Sequence, residues 1–362
     1  MLSYEGRNRQ TVNFLRTIHF DRPEWTPCEV GFLPAVWMKR REALEELVLA
    51  HPRIFPGYRR GSRDFDAVGS DVLYESTRHT DCWGTVWDSV ERGLSSLPVE
   101  YPLTDWAKLD GYRPPDPMTE DVFGPREPWP TIRARMAEAK ARGDLAAGGG
   151  LQHGFMYLRL YYLRGFEELM VDIATDEPRL KRLIAMVEGF NSAVIDKYVE
   201  LGAEYLGFGD DLGLQRSLPM SPAAWRRYIK PSYWRMFQPC RRRDLPIFLH
   251  TDGHVLEIIA DLIETGVRII NPQVRANGLD GLRQAARGKM AIKLDLDRQL
   301  FPFATPSQIE DHIGECFEAL HMPEGGLLFI AEVAPDIPLA NIDAICTALE
   351  KVCNPPWPEE RE

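Results

Sequence analysis

Pro246-Ile247-Phe248-Leu249-His250-Thr251-Asp252-Gly253-His254 is an apolar run that stops at a His-x-Asp-Gly turn, and a second apolar pattern at helical spacing begins at Val255. The run reads as a buried strand. A strand that carries a histidine and a carboxylate to its C-terminal end, just ahead of a helix, is where α/β enzymes keep their chemistry.

The design recurs on both sides of this stretch. Upstream, residues 204–209 read as a strand, and Ser221-Pro222, an N-cap followed by proline, opens a helix predicted to run to Arg243. Downstream, strands over 267–271, 290–296 and 326–331 alternate with helices over 279–286, 305–320 and 339–352. Short apolar strands separated by helices imply βαβ units and a parallel sheet. In the first half, residues 28–33 form a first strand, followed by a helix over 42–51 that Pro52 ends. Residues 145–151 form another strand, and helices fill 155–201. Residues 55–130, rich in Pro, Gly, Trp and Asp, read as a long excursion rather than a second core. Seven strands are thus predicted, with an eighth expected inside the excursion. The predicted fold is α/β, a (β/α)8 TIM barrel forming one domain over residues 1–362.

The composition, 44% hydrophobic and 27% charged over 362 residues, is that of a globular chain with a full core. A net charge of −11 argues against a general nucleic-acid binder, which needs a basic face. Arg226-Arg227 and Arg241-Arg242-Arg243 read as solvated helix faces. No run approaches the roughly 20 apolar residues of a membrane span, and Met1 to Arg7 lack the apolar core of a signal peptide. Six cysteines without a C-x-x-C pair point to reduced thiols. A cytoplasmic protein is expected.

The strand ends are polar: Asp210-Asp211, His250-Thr251-Asp252, Asn271-Pro272-Gln273, Lys293 with Asp295 and Asp297, and Glu332. Any one of these alone is commonly structural, but together they point to one polar cavity. Histidine and carboxylates suit a divalent ion, zinc first and manganese or iron also. They equally suit general acid/base work. His250 and Asp252 share a strand face, about 6–7 Å apart. Asp252 alternatively caps the following helix, and His254 reads as helix surface. Neighbouring residues of a strand face opposite ways, so only one of Asp210 and Asp211 points inward. Asp211 is taken as that residue, with a role in proton transfer.

Ala147-Gly148-Gly149-Gly150 reads as a tight turn or as a place of close ligand approach, without the spacing of a phosphate-binding loop. His153 and Tyr157, one helical turn apart, join Asp211 as catalytic candidates. Trp83, Trp87, Trp106 and Trp129 either pack the excursion down or wall a flat apolar pocket. Trp83, Trp87, Gln273, Lys293 and Asp295 are the candidates for substrate contact. The chain has no G-x-S-x-G elbow and no cysteine beside a histidine at a strand end, which argues against nucleophilic hydrolase chemistry.

Residues 190–352 resemble the uroporphyrinogen decarboxylase superfamily, which joins the haem-pathway decarboxylase to corrinoid-linked methyltransferases. The likeness is carried by Leu249 to His254 and by Asp261-Leu262-Ile263-Glu264-Thr265-Gly266-Val267 through Asn271-Pro272-Gln273. Leu296-Asp297 with Thr305-Pro306, and Ala331 through Pro338-Leu339-Ala340-Asn341-Ile342, continue it. Trp83-Gly84-Thr85-Val86-Trp87 and the Asp105-Trp106 to Asp116-Pro117 run are similar to the less characterised branch. In the methyltransferases a His-x-Cys pair and a distant Cys hold zinc. Here Asp252 stands at the first Cys and Glu332 near the second, so the resemblance implies a harder metal set of His250, Asp252 and Glu332. Pro34-Ala35-Val36-Trp37-Met38-Lys39-Arg40-Arg41 is only partly like the decarboxylase's arginine-rich start, and Ala331-Glu332-Val333 replaces its Gly-His-Gly. A carboxylate-rich porphyrinogen is poorly matched to a cavity of Asp and Glu.

The resemblance implies a metal-assisted methyltransferase or demethylase. It would move a methyl group from a small methylated compound to a corrinoid protein or another acceptor. A decarboxylase or lyase using Asp211 as the acid is the alternative, and a non-catalytic ligand-binding barrel is the third reading. A small-molecule substrate, no nucleic-acid or membrane partner, and a homodimer complete the expectation.

Overall fold

The computed structural model describes residues 4–68, 74–75, 77–89, 91–148, 151 and 153–357. All seven predicted strands are present: β1 Cys28–Phe32, β2 Ala147–Gly148, β3 Tyr205–Gly209, β4 Ile247–Thr251, β5 Val267–Pro272, β6 Ala291–Asp295 and β7 Leu327–Val333. They are the parallel strands of an α/β fold. Gly149 and Gly150, the end of the predicted glycine turn, lie outside the described residues.

One expectation is not met among the described residues, and another is corrected. No eighth parallel strand occurs among the described residues. The excursion instead makes short antiparallel pairings, His79–Thr80 with Val86–Asp88 and Val86–Asp88 with Leu97–Glu100, and a small hairpin of Glu120–Asp121 with Gly124–Pro125. The helix predicted from Ser221 to Arg243 is three helices, Pro222–Tyr228, Lys230–Met236 and Gln238–Arg242. Pro231 and Pro239 each sit in the first turn of a new helix, because neither has an N–H to continue the one before it.

The chain divides into two compact units, one of Met1–Val12, Thr77–Asp88 and Leu97–Pro272, the other of Asn13–Ser76, Ser89–Ser96 and Gln273–Glu362. In the first, β2, β3, β4 and β5 run parallel in that order. Strand alternation sorts β4: Ile247 and Leu249 are fully buried, while Phe248 and His250 on the other face are half-buried. Phe155, Phe208, Tyr233 and Phe237 pack into an aromatic core, with Phe208 and Phe237 centred 4.9 Å apart. In the second unit β7 lies between β1 and β6. The helix Pro306–Leu320 opens there on a capping box between Thr305 and Gln308. No helix among the described residues is long and apolar enough to cross a membrane.

Candidate active site

The candidate site lies in the first unit, where β3 and β4 end side by side with Gly209 opposite His250. The backbone N–H of Asp210 donates to the His250 carbonyl at 3.0 Å and continues the ladder by one residue. Beyond that point the loops are joined by their glycines. The Gly213 N–H donates to the Asp252 carbonyl at 3.2 Å, and the His254 N–H to the Leu214 carbonyl at 2.8 Å. A Cβ on Gly253 would fall 2.3 Å from the Gly213 backbone, and one on Gly213 would fall 2.4 Å from the His254 nitrogen. Gly253 also has φ +81°, which a side chain resists.

The two aspartates after β3 do different work. Asp210 is fully buried and accepts the N–H groups of Tyr157 and Leu158 and the hydroxyl of Tyr233. It caps the helix Tyr157–Arg164 from 53 residues beyond Tyr157 in the sequence. Burial raises its carboxyl to about 6, against the pull of those three hydrogen bonds. Asp211 is partly exposed. Its Oδ2 lies 3.1 Å from His153 Nε2, and its Oδ1 accepts the Asp252 N–H at 3.0 Å. His250 Nε2 is 3.9 Å from Asp211 Oδ1 and 3.3 Å from Asp252 Oδ1.

His153 reaches this cluster because residue 209 is glycine: a Cβ there would fall 2.5 Å from His153 Nδ1. The two imidazole rings are 5.4 Å apart. Burial opposes a positive charge on either ring, but the carboxylates prevail. Asp211 holds His153 above its ordinary value, and Asp252, with Asn271 and Asp211, raises His250 to about 9. Burial likewise opposes ionisation of Asp211, yet the two histidines hold its carboxyl below the usual range. The side chain of Tyr157 is buried nearby, and burial, reinforced by Asp210 and Asp211, raises its hydroxyl.

One donor atom from each of His153, Asp211 and His250 lies within 4.8 Å of the other two, a spacing that can close around a divalent ion. Two imidazoles and a carboxylate suit zinc, iron or manganese. Asp252, predicted as a ligand, contacts His250 at the edge of this group. Glu332, predicted as the third ligand, belongs to the second unit, where the Arg298 guanidinium engages both it and Asp295. Lys293 is ion-paired with Glu29, and Gln273 forms a backbone bridge with Asp295, also in the second unit.

Trp83 and Trp87 are 2% and 5% exposed and pack the excursion down. Trp83 meets Phe190 with ring centres 5.0 Å apart, and Trp87 Nε1 donates to Asp81 Oδ2 at 3.0 Å. Arg159, from the helix that Asp210 caps, reaches the same Asp81 oxygen at 2.9 Å. Asp81, Arg159, Asp210, Asn271 and Arg298 were not singled out in the sequence as functional side chains. Only the strand-end positions of Asp210 and Asn271 drew attention to them.

The sequence pattern of the uroporphyrinogen decarboxylase (URO-D) family matches residues 96–352. No curated protein matches the chain. Among solved structures, a methyltransferase from Methanosarcina mazei is similar over 94% of this chain and 98% of its own, with a TM-score of 0.59 at 16% identity. A dihydropteroate synthase from Xanthomonas albilineans, in a structure with 4-aminobenzoic acid, covers 46% of this chain and 62% of its own, with a TM-score of 0.31 at 17% identity.

Proposed function

This chain belongs to the uroporphyrinogen decarboxylase family, and we propose that it is a metal-assisted methyltransferase of that family. In this reading it takes a methyl group from a small O-, N- or S-methyl compound and passes it to a corrinoid protein or another acceptor. The observation that carries the reading is the convergence of His153, Asp211 and His250 donor atoms within 4.8 Å. The chemistry of the donor set fits a divalent ion, with one carboxylate and two neutral imidazoles offset from thiolate character. When bound there, the ion would act as a Lewis acid on the methyl-bearing heteroatom or on the acceptor.

The chain's own groups have defined tasks around it. His250 and Asp211 are held by neighbours and form the rigid part of the set. His153, whose side chain is 45% exposed, would close the set on its solvent side as a neutral ligand, so solvent would supply the proton that the heteroatom takes up when the methyl group leaves. Asp252 sits beside His250 and shapes its charge. Asp211 is poorly suited to the acid role, because its carboxyl is held ionised.

A decarboxylase is the second reading, favoured by the placement of His250 between Asp211 and Asp252, whose carboxylates favour its charged form and so suit it to pair with a substrate carboxylate. Metal analysis separates the two. Methyl transfer predicts about one equivalent of zinc, iron or manganese in the purified protein, lost together with activity in His250→Ala. Full activity in protein stripped of metal would overturn it, and release of CO2 from a carboxylated substrate by that protein would establish the alternative.

A further inference from the structure

β4 and β5 pair in parallel, and their register slips once. Val267 lies opposite Ile247, but Ile269 lies opposite Phe248, so β5 carries one extra residue at Arg268. Such a bulge re-aims every side chain beyond it. Without it, continuing the register from Val267 would set Ile270 opposite His250. With it, Asn271 is opposite His250. An apolar neighbour is thereby exchanged for an amide at the level of the site.

Asn271 is 3% exposed, and its Oδ1 lies 2.7 Å from His250 Nδ1. An amide oxygen only accepts, so the hydrogen of this bond belongs to Nδ1. That leaves Nε2 to carry the lone pair in the neutral ring, and Nε2 is the nitrogen facing Asp211 and Asp252.

We propose that Asn271 is a positioning residue, delivered by the β5 bulge, that fixes His250 in the Nδ1–H form and presents Nε2 as the ligating atom. The proposal rests on the metal-dependent reading above, and its test has a part that does not. In metal-free protein with 15N-labelled histidine, at a pH where the ring is neutral, NMR reads which nitrogen of His250 bears the proton, with His250→Gln assigning the signal. The wild type should show it on Nδ1, and Asn271→Leu should lose that preference. A wild-type proton on Nε2, or an unchanged tautomer in Asn271→Leu, overturns the proposal whatever the protein's activity.

The second part titrates metal-free protein with Co2+ against a chromophoric chelator and records the visible absorption of the bound ion. Loss of an orienting partner of this kind weakens metal binding by about 10–100-fold. Asn271→Leu should show that loss, while Asn271→Asp, which keeps an acceptor at the same place, should regain most of the affinity and the wild-type spectrum. Equal loss in both variants would make Asn271 merely structural and overturn the proposal. A wild type that binds no Co2+ while keeping the Nδ1–H tautomer would instead sink the metal-dependent function and leave the positioning of His250 standing.

Discussion

Asp210 Oδ2 accepts the backbone N–H of Tyr157 at 2.6 Å, so a carboxylate at the end of one strand closes the first turn of a helix that precedes it in the chain. The helix needs this, because Met156 at its N-cap provides no side-chain bond. Asp210→Ala should cost about 3 kcal/mol, since it removes a cap and leaves the buried Tyr233 hydroxyl and two N–H groups without their acceptor. Urea unfolding should show the midpoint fall at unchanged slope. A midpoint equal to wild type would refute the capping role.

The same carboxyl gives a pH signature. Burial raises it to about 6 in the folded chain, above the 3.8 of an ordinary aspartate. The folded state therefore holds this proton more tightly than the unfolded one. Its stabilising effect is complete below the ordinary value and is lost as pH rises through 6. Relative to Asp210→Asn, which does not titrate, the wild type should lose about 2–3 kcal/mol between pH 4 and 7. Parallel stability curves for the two proteins would contradict this.

Gly209 is open to a selective test. A methyl group there would collide with the His153 ring, a movable side chain, and not with backbone. Gly209→Ala should displace His153 and weaken metal binding as much as His153→Ala does, at a stability cost below about 1 kcal/mol. Tight metal binding by Gly209→Ala would remove His153 from the ligand set.

Metal affinity should rise with pH. A histidine ligates as the neutral ring, and His250, despite the opposing effect of burial, is held near 9 by Asp252, Asn271 and Asp211. Between about pH 6.5 and 9 the ion must displace a proton from His250, so affinity should climb by up to about tenfold per pH unit. In metal-free protein the sign is the opposite. His250's raised value stabilises the fold fully below 6.5, and that stabilisation is lost as pH passes through 9. Calorimetry in two buffers of different ionisation enthalpy counts the released proton. An affinity flat across this range would exclude His250 as a ligand.

Asp81 and Arg159 form an ion pair with side chains 0% and 3% exposed. Asp81→Ala strands the buried guanidinium and should cost about 3–5 kcal/mol. Because Trp83 and Trp87 pack at that anchor, their fluorescence should shift to the red. Unaltered fluorescence and melting would mean that the indoles are held by other contacts.

Much of this architecture was legible in the sequence because most of the parallel strands carry short, largely buried apolar runs, as Val267–Pro272 and Leu327–Val333 do. The excursion misled for the converse reason. Its strands are two to four residues long and pair antiparallel, too short to carry a periodicity. The helix after Ser221 was read through Pro231 and Pro239 because apolar spacing continues across both. At the site, His250, Asp252, Asp211 and His153 stood out as polar residues at or just beyond strand ends. The capping by Asp210 joins segments far apart in sequence, and the placement of Asn271 depends on a one-residue bulge. Neither leaves a local pattern. Arg298 was hidden for the same reason, being an ordinary loop arginine until the fold brings Asp295 and Glu332 to it.

The contact between Gly213 and Gly253 has a consequence for how this protein can diverge. Each position forbids a side chain on the other's account as well as its own, so neither loop can drift by single steps while its partner stays in place. In related chains that keep the aspartates of this site, both positions should be glycine. Where one has changed, both loops should have been rebuilt together, and with them the spacing of Asp211 to Asp252. The pair is therefore a two-residue marker, readable in any related sequence, for chains that inherit this site and not merely this fold.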